Sequence, residues 1–327
     1  LANATLSGGN ASVAGTFAFA TPTTVPSVGT TSQAVRFTPT DSGNYTTASA
    51  NVSVTVSKAA PVVTWNNPAS ITYGAALSGA QLNASASVNG TFSYTPLAGV
   101  VLGVGNQTLG VVFTPANATN YNSVNRSVTL LVTKGTQTIG AFGAIGEKTY
   151  GASAFGVTAP TSTSELPVVL SVKSGPATVS GNMVTVTGVG TVVLAANQAG
   201  NANFNAATEV TTNFAVSKAT PTISVVPTVG GLIYGQALSN ATLSGGSASV
   251  AGSFAFTNPA TVPSVGTSVQ PVTFTPTDAD NYNAASANVS VTVAKATPVV
   301  TWNAPASISY GTALSGTQLN ASASVNG

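Results

Sequence analysis

The side chains that could do chemistry in this sequence are few. There are six acids, Asp41, Glu147, Glu165, Glu209, Asp278 and Asp280, and eight Lys or Arg residues, with no histidine and no cysteine. Without the last two, neither a Ser-His nor a Cys-His nucleophile pair can be assembled. Disulfides and thiolate metal sites are equally unavailable. Paired-carboxylate catalysis needs two acids at one site, and residues 59–134 contain no acid at all. No enzymatic activity, cofactor or metal centre is therefore expected. Asp278-Ala279-Asp280 comes nearest to a metal motif, but Gly43 replaces the second acid in the related stretch Asp41-Ser42-Gly43. Calcium takes about six to eight oxygen ligands, so a solvated turn is the expectation there.

The remaining candidates are weighed in the same way. Lysine recurs at Lys58, Lys134, Lys218 and Lys295. A Lys–Asn cross-link would need a carboxylate to manage protons, which 59–134 lacks, so these lysines are expected to be solvated and to discourage pairing at sheet edges. Trp65 and Trp302 share a strand face with Pro and Val; burial in a core or at a junction is expected over sugar stacking. Asn-x-Ser/Thr recurs, for example at Asn51 and Asn288, as chance predicts in so Asn-, Ser- and Thr-rich a chain.

Charge narrows the partners. Asp, Glu, Lys and Arg make up 4% of the 327 residues, where soluble proteins average about 25%. A net charge of +2 is too small and too scattered for a phosphate-binding stripe, so nucleic acid is not an expected partner. Hydrophobic content is 43%, yet no apolar run reaches the ~18 residues of a membrane span. The surface is left to Thr, Ser, Asn, Gln and Gly, with little like-charge repulsion to keep copies apart.

These side chains must be positioned by repeated β structure. Val52, Val54 and Val56 alternate with Ser53 and Thr55, the period of a strand with one buried face. The stretch FTPTDSGNY…SANVSVTVSK ending at Lys58 returns as FTPTDADNY…SANVSVTVAK ending at Lys295. Residues 1–58 match 238–295 at 43 of 58 positions, and 59–90 match 296–327 at 27 of 32. One period holds three segments, 59–134, 135–218 and 219–295, flanked by 1–58, which lacks a beginning, and 296–327, which lacks an end. Tyr-Gly marks them at Tyr73, Tyr150, Tyr234 and Tyr310, and an aromatic corner follows at Tyr121, Phe204 and Tyr282, with Tyr45 its counterpart in 1–58. Short Val/Thr/Phe-rich segments between Gly, Pro and Asn clusters predict an all-β sandwich series. In 59–134 the strands are expected at 61–65, 80–87, 91–95, 107–113 and 127–133, with a short piece at Tyr121. Pro61, Pro221 and Pro298 open the segments after very short linkers, which predicts stiff joints and a rod with roughly 35 Å per module.

Asp41-Ser42-Gly43-Asn44-Tyr45 resembles the D-x-G-x-Y tyrosine corner of immunoglobulin-like domains, with Thr47 in place of the second Cys. The whole chain, through Tyr-Gly, FTPTDxxNY and VTVxK, resembles the Tyr-Gly-x class of bacterial immunoglobulin-like repeat modules, and 135–218 resembles a sister class. The resemblance implies tandem immunoglobulin-like modules of about 76–84 residues in stalks or adhesins of large secreted and surface proteins. Tyr45, Tyr121, Tyr282, Phe204, Trp65 and Trp302 are then structural residues. Each tyrosine is expected to be largely buried, with its hydroxyl bonded to its own corner. The function expected is an extracellular rod or fibre on a bacterial surface. The alternatives are an adhesin for a surface glycan or protein, and a filament of self-associating copies. Two explanations of the incomplete ends stand open. Repeats continue on both sides, or Ala296–Ala313 of one chain completes the head of the next.

Overall fold

Val128-Thr129-Leu130-Leu131-Val132 shows how composition becomes structure: Val128, Leu130 and Val132 are buried, while Thr129 and Leu131 face outward. The same alternation sets the two long strands that end each repeat. In the computed structural model, residues 1–325 are described. They are almost entirely β, arranged in several separate sheets. The chain falls into two compact units, one of Leu1–Thr138 with Ala199–Ala207, the other of Ile139–Gln198 with the residues from Thr208 on.

The first sheet holds β1 (Gly15–Phe19), β2 (Gly29–Pro39) and β3 (Ala48–Val56), antiparallel in that order. Residues 59–134 hold β4 (Val63–Thr64), β5 (Ile71–Thr72), β6 (Ser85–Ala86), β7 (Gly90–Thr95), β8 (Gly105–Pro115) and β9 (Val124–Thr133). A four-stranded sheet runs β5-β9-β8-β7, and β4 pairs with β6 on the other side. Between the two layers lie Trp65, Leu77, Leu109, Val111, Val128, Leu130 and Val132. Gly90 opens β7 because the Phe113 ring and the Thr114 carbonyl occupy the space a Cβ would need, 2.5 and 2.4 Å away. Gly15 and Gly252 meet Phe37 and Phe274 in the same way.

Residues 135–218 hold β10 (Lys148–Thr149), β11 (Phe155–Gly156), β12 (Val169–Ser174), β13 (Ala177–Ser180), β14 (Met183–Val186), β15 (Gly190–Asn197) and β16 (Val210–Ser217). They form sheets β10-β16-β15-β12 and β11-β14-β13. Residues 219–295 hold β17 (Ile223–Val225), β18 (Thr228–Val229), β19 (Leu232–Ile233), a 3-10 turn at Leu238–Asn240, β20 (Leu243–Ser244), β21 (Ser247–Ala248), β22 (Gly252–Phe256), β23 (Gly266–Pro276) and β24 (Ala285–Ala294). Here the main sheet is β19-β24-β23-β22, over a core of Leu232, Leu238, Phe256, Val272, Val289, Val291 and Val293. Among the described residues after Lys295, β25 (Val300–Thr301) and β26 (Ser322–Ala323) pair with each other.

The strands expected in 59–134 appear at shifted bounds, and β5 is an addition. Two residues in a Pro- and Ser-containing stretch show no alternation; β5 exists because β9 offers it a parallel edge at Val132 and Thr133. The tryptophans part company. Trp65 is 2% exposed, whereas Trp302 is 57% exposed, although each indole N–H donates to a carbonyl 16 residues on, Gln81 or Gln318, at 3.0 Å. The expected burial of Trp302 is therefore corrected: the residues that cover Trp65, from Leu109 to Val132, have no counterpart between 296 and 325. In dilute solution Trp65→Ala should cost about 3–5 kcal/mol in a denaturant melt, and Trp302→Ala less than about 0.5 kcal/mol.

Candidate functional site

The corner before each last strand is built by a side chain that accepts from the backbone. Asp41 Oδ1 accepts the amides of Gly43 and Asn44, both at 3.2 Å. Asn117 Oδ1 accepts from Asn120 at 3.1 Å, Asn201 Oδ1 from Asn203 and Phe204 at 2.8 and 2.9 Å, and Asp278 Oδ1 from Asn281 at 3.1 Å. Short Asx side chains favour such turns because they mimic a backbone acceptor. Three corners also close through the aromatic residue's own amide, which donates to the carbonyl of Asp41, Asn117 or Asp278.

The tyrosine hydroxyls take no part in this. Among the described residues none of Tyr45, Tyr121 and Tyr282 has a hydroxyl hydrogen bond. Tyr45 is 50% exposed, and the other two are half-buried. The corner expectation is corrected, for two physical reasons. A tyrosine corner links strands of different sheets, whereas this one links β8 to β9, and β23 to β24, neighbours in one sheet. Phe204 also fills the position with no hydroxyl at all.

Tyr-Gly sits at the other side of the last strand. The glycine has a positive φ in each case, +96° at Gly74, +81° at Gly151 and +91° at Gly235. Left-handed backbone of this kind favours glycine. The preceding tyrosine amide donates to the residue before the terminal lysine: Tyr73 to Thr133, Tyr150 to Ser217 and Tyr234 to Ala294, at 2.8 to 2.9 Å. Two landmarks far apart in sequence, Tyr-Gly and Lys, thus meet at one end of the repeat.

What they meet is the corner of the following repeat. Lys58 Nζ donates to the Ala118 carbonyl at 2.6 Å, Lys134 to Asn201 at 2.8 Å, and Lys218 to Ala279 at 2.6 Å. Each acceptor lies three residues before the corner aromatic. The residue after each lysine, Ala59, Gly135 or Ala219, bridges in parallel to Tyr121, Phe204 or Tyr282. Its amide and carbonyl bond the residues on either side of that aromatic, at 2.8 to 3.0 Å. Where a Tyr-Gly precedes, its ring meets the corner ring edge to face. Tyr73 and Phe204 are 5.3 Å apart at 85°, and Tyr150 and Tyr282 5.4 Å apart at 88°. We call this set of contacts the clasp.

The lysines are exposed, as expected, and three of them also tie one repeat to the next. The signal was present, since the spacing from corner to lysine is nearly constant, but nothing in it said that the acceptor lies about sixty residues ahead. Of the named site residues, Tyr121, Tyr282 and Phe204 come together with lysines in clasps; Tyr45 lies on an open corner, and Trp65 and Trp302 lie elsewhere. Asp278 and Asp280 are exposed, and the Asp278 oxygens are taken up by Asn281. No group of three acids that could hold a metal occurs among the described residues. Glu209 pairs with Lys173 on the surface, and that ammonium lowers its pKa.

No family model and no curated protein sequence matches the chain. Several solved structures are similar at low scores. Drosophila N-cadherin EC1-4 is 10% identical, with a TM-score of 0.26, over 81% of this chain and 83% of that one. Sidekick-1 immunoglobulin domains 1-5 are 13% identical, with a TM-score of 0.18, over 76% and 61%. The Bacteroides ovatus mixed-linkage glucan utilization locus SGBP-B, in complex with a mixed-linkage heptasaccharide, is 12% identical with a TM-score of 0.18, over 77% and 75%. None superposes well enough to speak for activity or ligand.

Two outcomes follow for the corner. Tyr121→Phe should change stability by less than about 0.5 kcal/mol, while Asn117→Ala, which removes the accepting oxygen, should cost about 0.5–1.5 kcal/mol in the same melt. The Asn44 side-chain amide, aided by the Asn44 and Gly43 backbone amides, holds the Asp41 carboxyl below its ordinary pKa. A depressed folded-state pKa means that the corner is fully supported above the ordinary carboxylate value and loosens as pH falls through the folded one. NMR titration should show the Gly43 and Asn44 amides shifting in that acid window.

Proposed function

We propose that the chain is a non-enzymatic extracellular structural repeat protein. Its segments 1–58, 59–134, 135–218, 219–295 and 296–327 are immunoglobulin-like modules of a rod, stalk or fibre on a bacterial surface or in its matrix. The observation that carries this reading is the clasp, whose lysine bond and backbone bridge recur at three successive joints. Domains in one chain move against each other by default unless their interface restrains them. Here a charge-assisted bond, a two-bond backbone bridge and, at two joints, an aromatic pair all act on one linker. Individually these are worth about 0.5–1.5 kcal/mol each; together they fix direction as well as distance.

The bacterial setting rests on the resemblance of Tyr-Gly, FTPTDxxNY and VTVxK to the Tyr-Gly-x repeat class. A chain with 4% charged residues offers little repulsion between copies, which makes other copies of the chain the favoured partners. A glycan- or protein-binding adhesin would use exposed aromatics. Those present, Tyr45, Tyr234, Trp302 and Tyr310, are each the counterpart of a joint or core residue elsewhere in the chain. The structural role is preferred for that reason.

Trypsin tests the joints directly, because it cuts after lysine. Lys58, Lys134 and Lys218 are clasped, and Lys295 makes no hydrogen bond among the described residues. In dilute native protein, cleavage is expected first at Lys295, with Lys134 and Lys218 protected until unfolding. Tyr150→Ala should open Lys218 to cleavage and leave Lys134 protected. Cleavage at Lys134 and Lys218 as fast as at Lys295 would overturn the reading of fixed joints.

A further inference from the structure

The joint between 135–218 and 219–295 carries a contact that the clasp does not include. Asn281, next to the corner aromatic Tyr282, accepts the Val189 amide with its side-chain oxygen at 2.9 Å. The two residues are 92 positions apart, and both are half-buried. Val189 lies in the turn from β14 to β15, so the bond runs from one repeat to the corner of the next. The Asn281 side chain can face only one way. Its nitrogen donates to the Asp278 carboxylate, at 3.2 Å to Oδ1 and 2.9 Å to Oδ2. A carboxylate only accepts and a backbone amide only donates, so both neighbours demand the same orientation.

Each partner is held from its own side. Asn44 Nδ2 donates to Asp41 Oδ2 at 2.9 Å as Asn281 does to Asp278, so the orientation belongs to the Asp-x-x-Asn corner itself. In the turn, the Thr187 amide donates to the Pro176 carbonyl at 2.8 Å. Pro176 also stands 3.2 and 3.6 Å from where a Cβ on Gly188 or Gly190 would lie. The other two joints have the turn and the asparagine but no acid. Val28 and Val104 occupy the place of Val189, each before a glycine with a φ of +113°. Asn120 and Asn203 occupy the place of Asn281, in corners that open on Asn117 and Asn201. Among the described residues neither Val28 nor Val104 donates to the corner that follows.

We infer that the Asp278–Asn281 pair is a recognition element for the module before it, fitted to the Gly188–Gly190 turn of the 135–218 class. Asn281 makes the contact, and Asp278 is a positioning residue that aims it. The pair adds a second tie to the joint at Lys218 that the joints at Lys58 and Lys134 lack. Its selectivity is one of hydrogen-bond pairing. A preceding repeat whose turn offered no amide would leave the half-buried Asn281 oxygen unanswered, and one that offered a carbonyl would oppose it. The clasp joins any repeat to any other, because its acceptors are backbone groups; the acid corner adds a preference for which class stands in front. This deepens the reading of fixed joints and rests on it.

Amide hydrogen exchange on the full chain tests it, because the sequence supplies its own control. Val104 and Val189 both sit in a Gly-Val-Gly turn, so their unprotected rates are the same. In the wild type Val189 should exchange about fivefold more slowly than Val104, the ratio that one typical hydrogen bond represents. Asn281→Ala should bring Val189 to the Val104 rate and speed trypsin cleavage at Lys218 by a similar factor, with Lys134 unchanged. Asp278→Asn keeps the oxygen that forms the turn, as Asn117 does, but puts a donor where Asn281 needs an acceptor. It should free Val189 while the Asn281 backbone amide stays protected. Equal rates at Val104 and Val189 in the wild type would overturn the proposal. So would a protected Val189 in either variant, or unchanged cleavage at Lys218 in Asn281→Ala. The fixed-joint reading falls separately, if wild-type Lys134 and Lys218 are cut as fast as Lys295.

Discussion

The parallel pairing of a two-residue strand with the end of the last long strand is the constraint on which the rest depends. Ile71 lies beside Val132, Lys148 beside Val216 and Leu232 beside Val293. Each pairing closes the sandwich edge and also delivers the Tyr-Gly ring to the terminal lysine. Remove it, and the core loses a wall while the joint loses its aromatic seat. Core and joint are therefore not independent, and a repeat that folds has already built half of the clasp.

A nearly uncharged chain makes that clasp selective. Of the eight Lys and Arg residues, four stand at the ends of the repeats. With six acids in the whole chain, carboxylates rarely compete for these ammonium groups. Lysine carries three donors on a flexible stem and finds a backbone carbonyl. A carbonyl is present whatever the side chain, which is why Ala118, Asn201 and Ala279 serve equally well. The low charge that weakens repulsion between copies thus also keeps the joint lysines free for their task.

The fold was largely legible in the sequence because it is written in period two: the alternating valines, the Gly-Pro-Asn punctuation and the repeat offset all point to sandwiches. The short strands such as Ile71–Thr72 were not legible, since two residues carry no alternation and exist only where a finished edge receives them. The site was half legible. Tyr45, Tyr121, Phe204 and Tyr282 stood out by spacing, but an intra-corner hydroxyl bond was inferred where the structure has an Asx turn and a ring contact. Local pattern cannot show that Lys134 reaches Asn201, because that distance is set by the whole intervening sandwich.

The substitutions that the joint tolerates explain what it recognises. Phe204 replaces tyrosine, and Gly135 replaces alanine at the same joint; a Cβ on Gly135 would come within 3.0 Å of the Phe204 ring. The ring there sits against the linker backbone, and glycine makes the room. What survives the change is the pair of backbone bonds, the lysine bond and an edge-to-face ring contact. What is lost is the hydroxyl, which makes no hydrogen bond at the other corners among the described residues. A joint defined by backbone, one cation and one ring face places few demands on the rest of a module. Repeats as different as 59–134 and 135–218 can then follow one another in a single array.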